Sequence, residues 1–159
     1  MCTNVWNFLF PAKYPSNASL HGTTLILTGA NLGNEKKPIS RFAAAGVKVI
    51  IACKDTEEVR NIAEEVCQEI PNANIVVKEL DLTSFYSIRK FATEIINNEP
   101  RINTLIDKGS GSIRKSANGF EIEYGANYLG HALLSSLLED KMEASAQITT
   151  ENVSSVAHL

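Results

Sequence analysis

Basic residues are too few and too scattered for this chain to hold nucleic acid by charge. The 159 residues carry 15 Lys and Arg against 18 Asp and Glu, a net charge of −3. No basic run interleaves with aromatic residues. Cysteine is scarce as well. Cys2, Cys53 and Cys67 share no metal-ligand spacing and make no even framework, so no metal site is expected and a reduced compartment suits them. Long apolar runs are missing. Val5-Trp6-Asn7-Phe8-Leu9-Phe10 is far too short to span a bilayer, and it breaks at Pro11. It lacks the basic flank and small-residue cleavage site of a signal peptide. Residues 1–19 therefore read as an N-terminal packing arm, with a shallow membrane or partner contact as the alternative. The expected location is cytoplasmic, again with peripheral membrane contact as the alternative. There the sequon Asn17-Ala18-Ser19 would stay silent.

What is present is ordinary for a globular domain. Hydrophobic residues make up 44% and charged residues 21%, and residues 20–159 are enough for one domain with a core. The organising stretch is Thr23 to Glu35, T-T-L-I-L-T-G-A-N-L-G-N-E. A short β-branched and aliphatic run, Thr24 to Thr28, stops at Gly29. Gly33 follows, and by Pro38 a helical pattern has begun. Strand, glycine turn and helix start is the order that offers backbone N–H groups to a phosphate. Gly29 can take the positive φ of a tight turn, and Gly33 leaves room for close approach to the backbone. Such turns also occur without a ligand, and at this point both readings stand.

The pattern continues in the same style. Pro38, Ile39, Phe42, Ala43 and Ala45 predict a short helix closed by Gly46. Val47 to Ala52 predicts a strand covered on both faces, completing a right-handed βαβ unit. Cys53-Lys54-Asp55 follows. A cation there suits a 2′-phosphate, so Lys54 favours NADP over NAD, while a lysine merely solvated at a strand end fits nearly as well. Asp55 suits the N-cap of the next helix, Thr56 to Ile70, with Glu58 closing a capping box. That helix has an apolar stripe of Val59, Ile62, Ala63, Val66, Cys67 and Ile70. The stripe makes Cys67 a core residue, and the glutamates off it a solvated face rather than a metal site.

Ile75 to Leu80 predicts the third strand, and Asp81-Leu82-Thr83-Ser84 lies at its carboxyl end. Asp81 is placed to accept from an adenine amino group. Its other role would be to cap the next helix, though Thr83 and Ser84 are nearer. Ile88, Phe91, Ala92 and Ile95 mark that helix's buried side, and Ile102 to Ile106 the fourth strand. The order β-α-β-α-β-α-β with short connections means a parallel, doubly wound α/β sheet. A polar loop, Asp107 to Ser112, precedes a long helix from Phe120 to Leu138. Its expected buried positions are Tyr124, Leu129, Ala132, Leu133 and Leu137. His131 reads as a histidine satisfied in the core or solvated. A weak fifth strand is expected within 147–158, where Glu151 sits badly for a strand covered on both faces.

Six motifs stand in register: Thr28-Gly29-Ala30-Asn31-x-Gly33, Ala52-Cys53-Lys54-Asp55, Asp81-Leu82-Thr83-Ser84, Gly119-Phe120-Glu121, Asn127-x-Leu129-Gly130-His131 and Asn152-Val153-Ser154-Ser155. On them the chain, from about Leu20 onward, resembles the short-chain dehydrogenase/reductase family, and within it the retinol dehydrogenase-like branch. The resemblance implies a Rossmann-type sheet, truncated after about its fifth strand. It implies NAD(P)-dependent hydride transfer between nicotinamide and a small-molecule alcohol or carbonyl. Gly29, Asn31, Leu32 and Gly33 would contact the cofactor's phosphates and ribose, Lys54 its adenosine ribose, and Asp81 with Leu82 its adenine. Asn127 would support a proton-relay water, and Ser155 would hydrogen-bond the substrate oxygen.

The sequence also departs from the family pattern. Glu35 stands where a third glycine is expected, and Asp107-Lys108-Gly109-Ser110 stands for Asn-Asn-Ala-Gly. No Tyr-x-x-x-Lys follows the Asn152–Ser155 motif, where the family carries it; the one match, Tyr86 to Lys90, falls in the helix after the third strand, and Tyr14, Tyr124 and Tyr128 lack a lysine four residues on. In the family that tyrosine is the general acid/base. Its absence would forfeit roughly 10²–10⁴ in rate, so the chain by itself is expected to be inactive. The alternative is a non-catalytic remnant that binds a nucleotide weakly or only pairs with a partner. Strands left at an uncovered edge would then invite self-association.

Overall fold

A computed structural model of the chain describes residues 20–29, 36–107 and 125–146. Its elements run β1 (Thr24–Thr28), α1 (Lys36–Ala44), β2 (Lys48–Cys53), α2 (Thr56–Glu69), β3 (Asn74–Glu79), α3 (Phe85–Asn98), β4 (Thr104–Ile106) and α4 (His131–Ala146). A single π-helical turn, Gly125–Gly130, leads into α4. The four strands form one parallel sheet in the order β3-β2-β1-β4. This is the Rossmann-type, doubly wound α/β architecture that the alternation of strand and helix patterns requires.

Strand alternation sorts the core into two layers. Leu25 and Leu27 of β1, with Val49, Ile51 and Cys53 of β2, pack against Ile39 and Phe42 of α1 and Val59 and Val66 of α2. Ile26, Ile50 and Ala52 point the other way, onto Ile88, Phe91 and Ile95 of α3 and Leu134 and Leu138 of α4. All of β1 is buried. Like β2, it has a strand on both sides and a helix layer on each face. Each of its fully buried aliphatic side chains contributes roughly 1.5–3 kcal/mol.

Local signals set the helix ends. Asp55 caps α2 by accepting from the Glu57 N–H at 3.2 Å. Ser84, not Asp81, caps α3, accepting from the Ser87 N–H at 3.3 Å. All four residues expected to be buried on α3 are so.

Two expectations need correction. Cys67 is exposed rather than core. With Arg60, Ala63 and Glu64 it lines an open cleft beside Ile75 and Val77 of β3. Among the described residues β3 is the outermost strand on that side, so the margin of the α2 stripe overhangs the sheet and has no strand beneath it. On the last helix the buried face is displaced by one position. Leu134 and Leu138 are fully buried, whereas Leu129 and Ala132 are exposed and Leu133 and Leu137 half-buried. The cause is the π turn, whose wider i→i+5 spacing takes in an extra residue and rotates everything after it. Tyr124, the helix start at Phe120, the loop after Asp107 and the fifth strand lie outside the described residues.

Candidate functional site

Chain order reverses at β1. The connections run from β1 outward through β2 to β3, then return to place β4 on the other side of β1. In an open α/β sheet the crevice outside the strand carboxyl ends at such a reversal is where ligands bind. Thr28 and Gly29 end β1 there. Gly29 has φ +60°, a left-handed conformation that a side chain would strain. The next residues expected at this place, Asn31, Leu32 and Gly33, and the misplaced Glu35, lie outside the described residues. Lys36, which follows directly, is turned away. Its ammonium bridges Glu65 and Glu69 of α2 at 2.7 and 2.9 Å, and these exposed bonds raise its pKa.

One end of the crevice is open and charged. At the carboxyl ends of β2 and β3 the structure joins two residues that the sequence marked separately. Lys54 Nζ lies 2.8 Å from Asp81 Oδ2. Asp81 Oδ1 accepts from the Thr83 N–H at 2.9 Å and from the Thr83 hydroxyl. Partial burial works against ionisation of Asp81, but the Lys54 and Thr83 bonds outweigh it and lower its pKa; the same bridge raises that of Lys54. The lysine is 75% exposed and the aspartate 23%, so the cation is held at the rim while free to reach an anion in solvent. Both oxygens of Asp81 are engaged, and an adenine amino group would have to share Oδ2 with the lysine. Leu82 follows, half-buried against the α3–α4 core layer.

The other end is closed and polar. Thr28 is fully buried. Its Oγ1 lies 2.9 Å from His131 Nε2, 3.3 Å from the Ile106 carbonyl oxygen and 3.4 Å from Asp107 Oδ1. Asp107 Oδ2 accepts from the Ser135 hydroxyl at 3.3 Å, one turn along α4 from His131. Burial pushes the Asp107 carboxyl up, against the opposing pull of His131, Ser135 and Thr28. The sequence presented His131 as a core histidine and Asp107 only as a departure from a motif. Their meeting at Thr28 was missed. The available signal was parity: Thr28 shares the face of Ile26, the face on which α4 packs.

Asn127 lies within the π turn, and such single turns recur at functional sites. Its side chain and Ser155 fall outside what the structure describes. Gly130 closes the turn against the loop after β3: a Cβ there would stand 2.4 Å from the Leu82 carbonyl oxygen. Among the described residues no cluster of His, Cys, Asp and Glu could hold a metal ion, and no helix is long and apolar enough to cross a membrane.

Comparison with known proteins agrees with this geometry. The chain is 41% identical to human retinol dehydrogenase 13 over 149 residues, covering 91% of this chain and 45% of that protein. It is 37% identical to human retinol dehydrogenase 12 over 146 residues, covering 90% and 46% respectively. It thus spans less than half the length of these relatives. A solved metagenomic short-chain oxidoreductase in complex with NADP superimposes with a TM-score of 0.68 at 21% identity, over 79% of this chain and 59% of that one. The short-chain dehydrogenase of Shigella flexneri does so with a TM-score of 0.67 at 20% identity, over 81% and 53%. No family model matches the chain.

Proposed function

The chain belongs to the short-chain dehydrogenase/reductase family, on its retinol dehydrogenase-like branch, and from that membership we propose that it binds a nicotinamide dinucleotide, NADP in preference to NAD, across the carboxyl ends of β1, β2 and β3. The observation that carries the reading is Gly29 at φ +60° at the reversal of strand order. The described residues fit such a group. A glycine opens the backbone where phosphates would approach, a rim lysine offers a cation for a 2′-phosphate, and Asp81 with Leu82 borders the adenine side. Asn31, Leu32 and Gly33 would complete the phosphate contacts. The dinucleotide, when bound, supplies the hydride acceptor or donor; the protein supplies position and charge.

The parent activity is oxidoreduction of an alcohol or carbonyl, with retinoids the substrate class that the names of its relatives suggest. Asn127 and Ser155 would serve it, as relay support and as hydrogen-bond partner of the substrate oxygen. A second reading is favoured by one feature. The one Tyr-x-x-x-Lys match, Tyr86 to Lys90, lies at the start of α3 with Tyr86 exposed, and none follows the Asn152–Ser155 motif, where the family carries its acid/base, so the chain alone would bind nucleotide, or a partner, without turnover. Cytoplasmic location, with or without peripheral membrane contact, and self-association through an exposed sheet edge accompany both readings.

Titration of NADPH and NADH against the full chain, followed by cofactor fluorescence, tests the binding reading. Saturable NADPH binding is expected, weaker for NADH. Lys54→Ala should weaken NADPH by roughly 10- to 100-fold, the worth of one charge-assisted hydrogen bond, and leave NADH unchanged. No saturation at millimolar cofactor would overturn the reading. Turnover of retinal with NADPH by the chain alone would overturn the second reading and support catalysis.

A further inference from the structure

We propose that His131 and Asp107 are positioning residues for the phosphate turn, gripping the Thr28 side chain so that Gly29 leaves β1 in one fixed direction; the proposal rests on the nucleotide reading above. Thr28 immediately precedes Gly29 and is fully buried. Its hydroxyl has one hydrogen to give and two lone pairs. Around it stand His131 Nε2 at 2.9 Å, the Ile106 carbonyl at 3.3 Å and Asp107 Oδ1 at 3.4 Å. The carbonyl can only accept, and so can an ionised carboxylate. A consistent set has Nε2–H donating to the hydroxyl and the hydroxyl donating to the β4 end. That set uses the imidazole as the donor and ties three segments together at one atom.

The grip is itself anchored. Ser135 donates to the second oxygen of Asp107 at 3.3 Å, so α4 holds β4 through Ser135 and β1 through His131, four residues apart on one helix face. The start of α4 is fixed from the opposite side by the close approach of Gly130 to the Leu82 carbonyl. A β-branched threonine has restricted χ1 freedom to begin with. With its hydroxyl bonded toward β4 and toward α4, one rotamer remains, and the backbone it carries leads directly into the left-handed glycine.

The test uses the full chain and two readouts. The first is amide hydrogen exchange of the peptide covering residues 24–29, measured without nucleotide. The second is NADPH affinity by fluorescence. His131→Leu removes the donor, whereas His131→Gln keeps an N–H of similar reach. Thr28→Val removes all the hydroxyl's bonds at constant shape, which keeps the test available if His131→Leu does not fold. Ile95→Val, in the core layer of α3, controls for loss of stability alone. His131→Leu and Thr28→Val should speed exchange about tenfold or more and weaken NADPH about tenfold, the loss expected for one buried hydrogen bond. His131→Gln should stay within about threefold of the wild type in both, and Ile95→Val should not move NADPH affinity. Unchanged exchange and affinity in His131→Leu and Thr28→Val would overturn the proposal, as would an Ile95→Val chain that loses NADPH affinity equally. A wild type that binds no NADPH overturns the nucleotide reading instead, and the exchange readout then decides the grip by itself.

Discussion

The two ends of the crevice solve the placement of polar groups in opposite ways. At the β2–β3 end, Lys54 and Asp81 meet in an ion pair at the rim, with water beside it. At the β1–β4 end, Thr28, Asp107, His131 and Ser135 satisfy one another with little solvent. An exposed pair gains little net stability, because water competes for both charges. A buried set is different. Each member left without its partner incurs the desolvation cost in full. The open end can therefore be altered for affinity with little effect on folding, while changes at the closed end act on folding first.

The two ends should differ most at Gly130, where the closed end is braced. Gly130→Ala puts a methyl group 2.4 Å from the Leu82 carbonyl oxygen, and backbone cannot yield cheaply. A loss of about 2–3 kcal/mol is expected, measured as a lower urea midpoint at unchanged slope.

Asp107 makes the closed end respond to pH. Its folded pKa is raised by burial, so the stability it contributes is full below the ordinary carboxylate range and is lost as pH rises through the folded value. Asp107→Asn removes the buried charge and keeps an acceptor for Thr28. It should gain roughly 1 kcal/mol at pH 7, with the gain shrinking as pH falls toward the range where the wild-type carboxyl is protonated. Thermal melts of both chains across pH would show this, and a gain that grows on acidification would contradict it.

The smallest effect belongs to the open end. Lys54→Ala should leave the unfolding midpoint unmoved within error, even where it costs NADPH affinity. A clear drop in the midpoint would erase the distinction between the two ends.

The sheet was legible in the sequence because its strands are nearly unbroken apolar runs and its helices carry single stripes. Val59, Ala63 and Val66, and Ile88, Phe91, Ala92 and Ile95, lie where periodicity puts them. Cys67 was misread because a stripe does not say where the sheet beneath it stops. The last helix was misphased because a π turn has no marker in periodicity; Gly125 and Gly130 bound it, yet glycine alone does not distinguish a π turn from an ordinary helix start. The pairing of Lys54 with Asp81 was hidden because each lies at the end of a different strand, and only the parallel register of β2 with β3 brings them together. The grip on Thr28 was hidden for the same reason at greater separation.

That separation has a kinetic consequence. β1 meets β2 after one short helix, but the Asn103 side chain that receives the first amide of β1 is 79 residues away along the chain. Closing so long a loop costs entropy before any contact offsets it. The β3-β2-β1 half is thus expected to assemble first and β4 to dock last. During synthesis a nascent chain would then hold its Lys54–Asp81 pair well before it had a crevice, which closes only when β4 docks beside β1.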